Sequence, residues 1–220
     1  MPTPSAIMRK LLTNILCVAF AMCLVACNDG DDDDGGYIPP YITDFLVAST
    51  DADGKVVSVR LDDGTTHNVA SQQVDLERKD TLLRCMATYT QEKGKRLKLY
   101  GIQPVFSYKP YKATSIYMII DGQTYQDVSL LPRDPMKVIS MWKGGGYLNL
   151  HLGLMTTNQG VHQYVFCEDS VGHYSLLHQR PAYDGSAYTE NVYLSMPIPD
   201  GLENFTFTVR TYDGDYTQTF

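Results

Sequence analysis

The sequence is poor in the residues that build disulfide frameworks, zinc sites and nucleic-acid contacts. It has five cysteines and one tryptophan in 220 residues, and its acidic residues outnumber the basic ones by 25 to 18. No Cys-x-x-Cys pair is present, which excludes the common zinc and redox motifs. Because phosphate contacts need clustered Lys and Arg, the net charge of −7 argues against nucleic acid as a partner.

Short motifs that mark catalytic sites are also missing. The Gly-x-Ser-x-Gly and His-Glu-x-x-His patterns and the phosphate-binding P-loop are absent. Three of the five histidines, His151, His162 and His178, could share a metal only if the fold brought their strands together. We therefore predict a protein that is not an enzyme and that has no metal and no cofactor. A hydrolase without a recognisable motif is the weaker alternative.

No largely apolar stretch is long enough to cross a membrane. The one from Leu11 to Ala26 falls short of the roughly 20 residues that a spanning helix needs. It follows two basic residues and ends in Leu-Val-Ala before Cys27, an order typical of a cleaved secretory signal. The ending resembles that of bacterial lipoproteins. We predict that residues 1–26 are a lipoprotein signal peptide and that a lipid on Cys27 anchors the protein to the membrane.

An acidic segment rich in glycine begins at Cys27. Residues 27–36 contain five Asp and three Gly. Such a segment cannot bury apolar surface, so we predict a disordered tether. An acidic patch directly after a lipidated Cys resembles the signal that exports lipoproteins of the Bacteroidetes. This resemblance implies an outer-membrane lipoprotein exposed at the cell surface, with a periplasm-facing lipoprotein as the alternative.

Alternation with a period of two residues, typical of β-strands, dominates the rest of the chain. In residues 37–110, Val57, Val59 and Leu61 point one way. Asp62-Asp63-Gly64 then predicts a hairpin, because Asp-Gly tolerates the positive φ of a tight turn. Five short strands of this kind are compatible with an OB-like β-barrel domain, with a small open sheet as the alternative.

Residues 111–220 predict an antiparallel β-sandwich domain. Four Leu alternate with other residues between Leu148 and Leu154, which places that strand over a substantial core. Turn signals recur about every ten residues, as they do in two packed antiparallel sheets. Residues 138–142 are apolar on both faces, which predicts a central strand.

The two cysteines left outside the N-terminal segment, Cys85 and Cys167, lie in alternating apolar runs. This position predicts two small buried side chains. A disulfide between them stays possible in an oxidising compartment.

Tyrosine is abundant, with 16 Tyr against 7 Phe. Loops that combine Tyr with small polar residues are typical of recognition surfaces, although half-buried Tyr is also common in β-sheets. The candidate ligand-binding aromatics are Tyr108, Tyr111, Tyr183, Tyr188, Tyr212 and Tyr216.

Two triplets match an acceptor pattern for O-glycosylation of exported proteins in the Bacteroidetes. They are Asp80-Thr81-Leu82 and Asp169-Ser170-Val171. Thr81 and Ser170 are therefore candidate glycosylation sites.

Several runs together resemble the NigD-like lipoproteins of the Bacteroidetes. The resemblance rests on the hairpin at residues 61–65 and on the runs Asp134-Pro135-Met136-Lys137-Val138-Ile139, Met141-Trp142-Lys143-Gly144 and Tyr147-Leu148-Asn149-Leu150. It implies an OB-like domain followed by a β-sandwich on a lipid anchor, and it supplies no catalytic residues. Our leading expectation is a non-enzymatic envelope protein that binds a protein, peptide or glycan. The alternative is an accessory or immunity lipoprotein of a bacteriocin system.

Overall fold

Alternating apolar residues form strands along most of the chain in a computed structural model. The structure describes residues 40–92, 96–116, 118–120, 123–125 and 131–220. These residues belong to one unit, Pro39–Phe220. The predicted signal peptide, the tether and Cys27 lie outside the described residues. Within the described part, the chain has no helix that is long and apolar enough to cross a membrane.

Five strands close into a barrel in the first half of the described chain. They are β1 Ile42–Thr50, β2 Val56–Leu61, β3 Thr66–Gln72, β4 Leu82–Gln91 and β5 Leu97–Pro104. The order around the barrel is β1-β2-β3-β5-β4, and β4 pairs again with β1. Only the β3–β5 pairing within it is parallel. Because this closed five-stranded arrangement is that of an OB fold, the predicted OB-like barrel is confirmed.

The hairpin between β2 and β3 forms at the predicted turn. Gly64 has a φ of +87°, a left-handed conformation that glycine adopts without a steric penalty. The Asp63 carboxylate accepts hydrogen bonds from the hydroxyl and the N–H of Thr65, at 2.6 and 2.7 Å. These two bonds lower the pKa of Asp63. Local chemistry therefore fixes the turn that holds the neighbouring Asp62 in place.

A second set of strands forms two facing sheets and a separate short hairpin. The strands are β6 Tyr111–Lys112, β7 Met118–Ile120, β8 Gln123–Tyr125, β9 Lys137–Gly144, β10 Tyr147–Thr156, β11 Gln163–Ser170, β12 His173–Gln179, β13 Tyr188–Pro197, β14 Thr206–Thr211 and β15 Gly214–Thr219, and one 3₁₀ turn spans Ala113–Ser115. One sheet has the order β13-β10-β9, and the other has the order β15-β14-β12-β11-β6. The hairpin consists of β7 and β8.

The core of the sandwich lies between these two sheets. Leu148, Leu150 and Leu152 on β10 are fully buried, and they belong to one apolar cluster with Phe166 and Phe207 of the facing sheet. Truncation of such a Leu to Ala typically costs about 2–5 kcal/mol of unfolding free energy. The predicted row of Leu over a core, and with it the predicted sandwich, is confirmed.

The strand order differs from the expectation in two details. The five-stranded sheet contains two parallel pairings, β6 with β11 and β12 with β14, besides its antiparallel ones. The prediction that residues 138–142 form a central strand is wrong, because β9 pairs only with β10 among the described strands and is an edge strand. Its second apolar face has other neighbours: the Trp142 ring contacts Phe45 of the barrel at 5.6 Å between centroids.

Candidate functional site

A cleft opens at one side of the sandwich, lined mostly by edge strands of the two sheets and also by Met155 of β10 and Thr189 of β13. β9 is the edge of the three-stranded sheet, and β15 is the edge of the five-stranded sheet. The volume of the cleft is about 480 Å³, which lies in the range of about 300–1,000 Å³ that is typical of ligand sites. The lining residues are Lys137, Val138, Ile139, Ser140, Met141, Met155, Thr189, Thr211, Tyr212, Asp213, Tyr216 and Gln218.

Three large apolar or aromatic side chains of the cleft are open to solvent. Ile139 is 44% exposed, Tyr212 46% and Tyr216 44%. A bulge in β9 accounts for the position of Ile139: Ser140 pairs with His151 and Val138 with Leu152, so Ile139 is an extra residue. Because a bulge redirects the side chain of the extra residue, Ile139 is available to a ligand.

The charges around the cleft are mixed in sign. Lys137 and Asp213 line it, and close by in sequence Arg210 and Asp215 form a salt bridge of 3.2 Å. Such a site favours neither polyanions nor polycations, since long-range attraction needs a field of one sign.

The structure brings two of the six predicted aromatics together. Tyr212 and Tyr216 line the cleft, whereas the other four do not. Tyr183 is 89% exposed and Tyr188 47%, at the two ends of the loop that leads into β13. Tyr108, which precedes β6, is 52% exposed, and Tyr111, the first residue of β6, is 55% exposed. Ligand binding by any of these residues stays a prediction.

The two predicted glycosylation sites differ in accessibility. Ser170 is exposed at the end of β11. Thr81 is only partly exposed, and its backbone is paired, because its carbonyl accepts from the N–H of Thr50 at 3.0 Å and its own N–H donates to the Thr50 hydroxyl at 3.2 Å. Modification of either residue stays a prediction.

Two of the three histidines considered for a metal do meet, in a chain of hydrogen bonds. His162 Nδ1 lies 2.9 Å from His178 Nε2, and His162 Nε2 lies 2.9 Å from Asp184 Oδ2. His178 Nδ1 lies 3.0 Å from the carbonyl oxygen of Asp134. His151 is elsewhere, bonded to Asn191. In the described part of the chain, no group of three or more His, Cys, Asp or Glu is arranged to hold a metal ion.

The hydrogen bonds of this chain determine where its protons lie. A carbonyl oxygen can only accept a hydrogen bond. His178 Nδ1 therefore carries a proton, and its N–H donates a hydrogen bond to the carbonyl of Asp134. Burial alone would raise the pKa of Asp184, but hydrogen bonds from Thr157 and Thr156 lower it well below its usual range, so this carboxylate is ionised. It therefore accepts a hydrogen bond from the N–H at His162 Nε2.

The remaining contact in the chain joins the two imidazole rings, which also stack at 5.2 Å between centroids. Burial lowers the pKa of His178. The group is thus a hydrogen-bonded chain that runs from Asp184 through His162 and His178 to the carbonyl of Asp134.

A second buried polar group connects the barrel to the sandwich through Arg84. The Arg84 side chain is 1% exposed and donates to both carboxylate oxygens of Asp62, at 2.5 and 2.9 Å. It also donates to Asn149 on β10 at 3.0 Å and lies 3.4 Å from the Ser195 hydroxyl on β13. The guanidinium stacks over the Tyr147 ring, 4.3 Å from its centroid. One side chain of β4 is therefore bonded to two strands of the sandwich.

The glycine-rich turn between β9 and β10 is shaped around the same carboxylate. A Cβ added to Gly145 would lie 2.2 Å from Asp62 Oδ1, and Gly145 has a φ of +61°. Any larger residue here would collide with Asp62 in a conformation that side chains disfavour. The turn thus requires glycine because Asp62 occupies the space of a side chain.

Sequence reasoning missed the role of Arg84, which precedes the core-facing Cys85 and therefore lies on the outer face of β4. A signal was nevertheless present in the residues that carry the family resemblance. Four residues of those runs meet at this point. Asp62, Tyr147 and Asn149 contact Arg84, and a Cβ added to Gly144 would meet the Asp62 carboxylate. These residues therefore mark a structural junction between the barrel and the sandwich.

Cys85 and Cys167 are both free and buried. They lie in the barrel and in the sandwich, on β4 and β11. Burial raises the pKa of each thiol to about 12, so neither is a reactive thiolate near neutral pH. The prediction of two small buried side chains is confirmed, and the possible disulfide is not formed.

Several solved structures share this fold. A NigD-like immunity protein from Bacteroides caccae superposes with a TM-score of 0.60 and 22% identity, over 84% of this chain and 94% of that one. A toxin-related protein from Parabacteroides distasonis gives 0.64 and 15%, over 82% and 92%. A protein of unknown function from Bacteroides vulgatus gives 0.59 and 15%, over 82% and 90%. The fold implied by the NigD-like resemblance is therefore confirmed.

No protein-family model matches the chain, and no characterised protein matches it in sequence. None of the three structural neighbours is described as an enzyme.

Proposed function

We propose that this chain is a NigD-like, non-enzymatic lipoprotein of the cell envelope that binds a protein partner through the cleft of its sandwich. The observation that carries the proposal is the position of Tyr212 and Tyr216 in a cleft of about 480 Å³, beside β9 and β15, each of which has one edge without a partner among the described strands. Tyr supplies large contact area at a low cost in conformational entropy. Unpaired strand edges offer backbone donors and acceptors that match another polypeptide.

A protein ligand fits these observations better than a glycan does. The Tyr-rich loop around Tyr183 and Tyr188 is the alternative site for a glycan, but its most exposed side chain, Tyr183, is 89% in solvent and lines none of the described pockets. Ligand sites are normally concave and bury most of the ligand. The cleft meets this condition, whereas the Tyr183 side chain lies almost entirely in solvent.

An immunity or accessory role in a bacteriocin system is the more specific form of the proposal. The structural neighbour from Bacteroides caccae is described as an immunity protein and the one from Parabacteroides distasonis as toxin-related. In this role the cleft would hold a toxin, or a component of its export system, at the envelope. Expression of the chain would then protect a sensitive strain, and substitutions in the cleft would abolish the protection.

The envelope location follows from the N-terminal sequence. A lipid on Cys27 would hold the protein to the membrane, and the acidic residues 27–36 favour export to the surface of the outer membrane, with a periplasm-facing position as the alternative. A Cys27→Ser variant should lose incorporation of labelled fatty acid. Proteinase added to intact cells should digest the wild-type protein if it faces outward and spare it if it faces the periplasm.

The decisive experiment is chemical crosslinking of the tagged, full-length protein in its native cells, followed by mass spectrometry. The wild type is compared with a Tyr212→Ala/Tyr216→Ala variant and with Tyr183→Ala as the matched control. We expect a stoichiometric protein partner that is lost from the cleft variant and retained by the control. A partner retained by the cleft variant, or the absence of any enriched protein, would contradict binding at the cleft. Loss of an envelope glycan from the Tyr183→Ala sample alone would move the site to the other loop.

A further inference from the structure

The two sheets of the sandwich have different widths, and the inner face of β15 is left uncovered as a result. Three strands face five. On β15, Tyr216 and Gln218 pair with Val209 and Phe207, which are buried residues of the core. Residues directly opposite each other in an antiparallel pair share one face of the sheet. Tyr216 and Gln218 therefore continue the core-facing row into the cleft.

β9 lies against β14, and β15 is the next strand beyond β14, at the edge of the five-stranded sheet. The chain just before β9 bonds to β14, from the N–H of Met136 to the carbonyl of Arg210 at 3.0 Å. Farther along, Met141 of β9 and Val209 of β14 belong to the same buried cluster. Adjacent strands lie about 4.8 Å apart, so one further strand beside β9 would lie over β15. The cleft is the place of that missing strand.

The edge of β9 can accept such a strand. Alternate residues of an antiparallel strand direct their N–H and C=O groups away from the existing partner, and β9 pairs only with β10 among the described strands. Five consecutive residues of β9, from Lys137 to Met141, line the cleft. Residues of both faces and of the edge itself are thus open to a ligand.

The bulge at Ile139 argues against a second copy of this chain as the occupant. A bulge interrupts the regular row of donors and acceptors and is one of the devices that block pairing between identical edges. A short segment of a different protein can pair with the edge on either side of the bulge, at Lys137 and Val138 or at Ser140 and Met141. The Ile139 side chain then remains available to contact a side chain of that segment.

On these grounds, and resting on the proposed function, we propose that the cleft binds an extended segment of its protein partner by strand addition. The segment becomes the fourth strand of the sheet β13-β10-β9. Its alternate side chains are apolar and pack on Tyr216, and the intervening ones face away from the sandwich core.

A phage-displayed library of random peptides, selected on the purified full-length protein in detergent, tests this proposal without changing β9. The enriched peptides are synthesised with a single N-methyl group at each backbone position in turn. In an added strand only every second N–H donates to β9, so N-methylation should weaken binding at least about tenfold at alternate positions and change it little between them. Tyr216→Ala should weaken the same peptides, and Tyr183→Ala should not.

The outcomes separate the two proposals. Peptides that need Tyr216 but show no alternation with N-methylation would overturn strand addition while leaving binding at the cleft intact. Selection that yields no peptide sensitive to Tyr216→Ala would overturn both. A third outcome is that the peptides show the alternating pattern on the wild type but lose it on the Tyr183→Ala variant. That result would place the added strand at another edge and overturn the proposal for β9.

Discussion

Arg84 gives the sharpest prediction about stability, because one buried cation holds the barrel against the sandwich. The perturbation is Asp62→Ala. It removes the one carboxylate that, among the described residues, is bonded to a guanidinium that is 1% exposed, and it leaves the neutral oxygens of Asn149 and Ser195 as partners. Loss of one partner of a buried ion pair typically costs about 3–5 kcal/mol. Because the Asp62 side chain is 26% exposed, water can reach part of the gap, and we expect a loss of about 3 kcal/mol.

Removal of the cation itself should cost less. Arg84→Met keeps an apolar stem near Phe45 and Tyr147 and leaves a partly solvated carboxylate at Asp62. It loses the hydrogen bonds to Asn149 and Asp62, and because water reaches the Asp62 carboxylate we expect a cost of about 2 kcal/mol. We therefore expect the double variant, Asp62→Ala with Arg84→Met, to be more stable than Asp62→Ala alone.

The assay is urea unfolding of the mature chain, followed by circular dichroism and by tryptophan fluorescence. Trp142 is the single tryptophan and lies against Phe45 at the junction, so its emission reports on this contact directly. Arg60→Met, on the exposed side of β2, is the control and should change the unfolding free energy by less than about 0.5 kcal/mol. A loss below about 1 kcal/mol for Asp62→Ala, or a double variant that loses the sum of both single losses, would refute the reasoning.

Three further predictions follow from buried groups. Gly145→Ala should cost about 2 kcal/mol or more, because its Cβ would meet Asp62 at a φ of +61°; an unchanged melting temperature would contradict this. The pKa of His178 is lowered by burial, so the unfolded chain takes up a proton below pH 6.5 that the folded chain refuses. Stability should therefore fall as the pH drops through 6.5, by up to about 1.4 kcal/mol per pH unit, with a flatter profile for His178→Gln in urea titrations. Cys85 and Cys167 should react with a thiol reagent only after unfolding, and rapid labelling of the native protein would show that they are not buried.

Features that depend on neighbouring residues in the chain were predictable from the sequence. The Leu row of β10 and the Asp-Gly turn before Thr65 formed where the pattern placed them, because strand alternation and turn chemistry act over a few residues. The same local reasoning gave the five strands of the barrel. It also indicated that Cys85 and Cys167 are buried.

Features that depend on partners far away in the chain were not predictable in this way. Arg84 lies on the outer face of the barrel, and only the folded sandwich shows that Asn149 and Ser195 cover this face. The apolar outer face of β9 indicated a central strand, although Trp142 packs on the barrel and Ile139 lines the cleft. Tyr212 and Tyr216 could be named from composition, but the uncovered face of β15 that makes them neighbours follows from the unequal sheets. The boundary between the two domains at residues 110 and 111 stays a prediction, which limited proteolysis near residues 108–135 would test.

The strand order also bears on how fast the chain folds. β1 pairs with β4 before the barrel can close, and β12 pairs with β14 only after the intervening β13 has crossed to the other sheet. Each of these pairings closes a long loop before its contacts form, which raises the entropic barrier to folding. We expect refolding in roughly milliseconds to seconds, as for other β-rich domains with many non-local pairings. During this interval unfinished strand edges are exposed to other chains, so a partner that meets the protein as it folds would find the edge of β9 before the sandwich is complete.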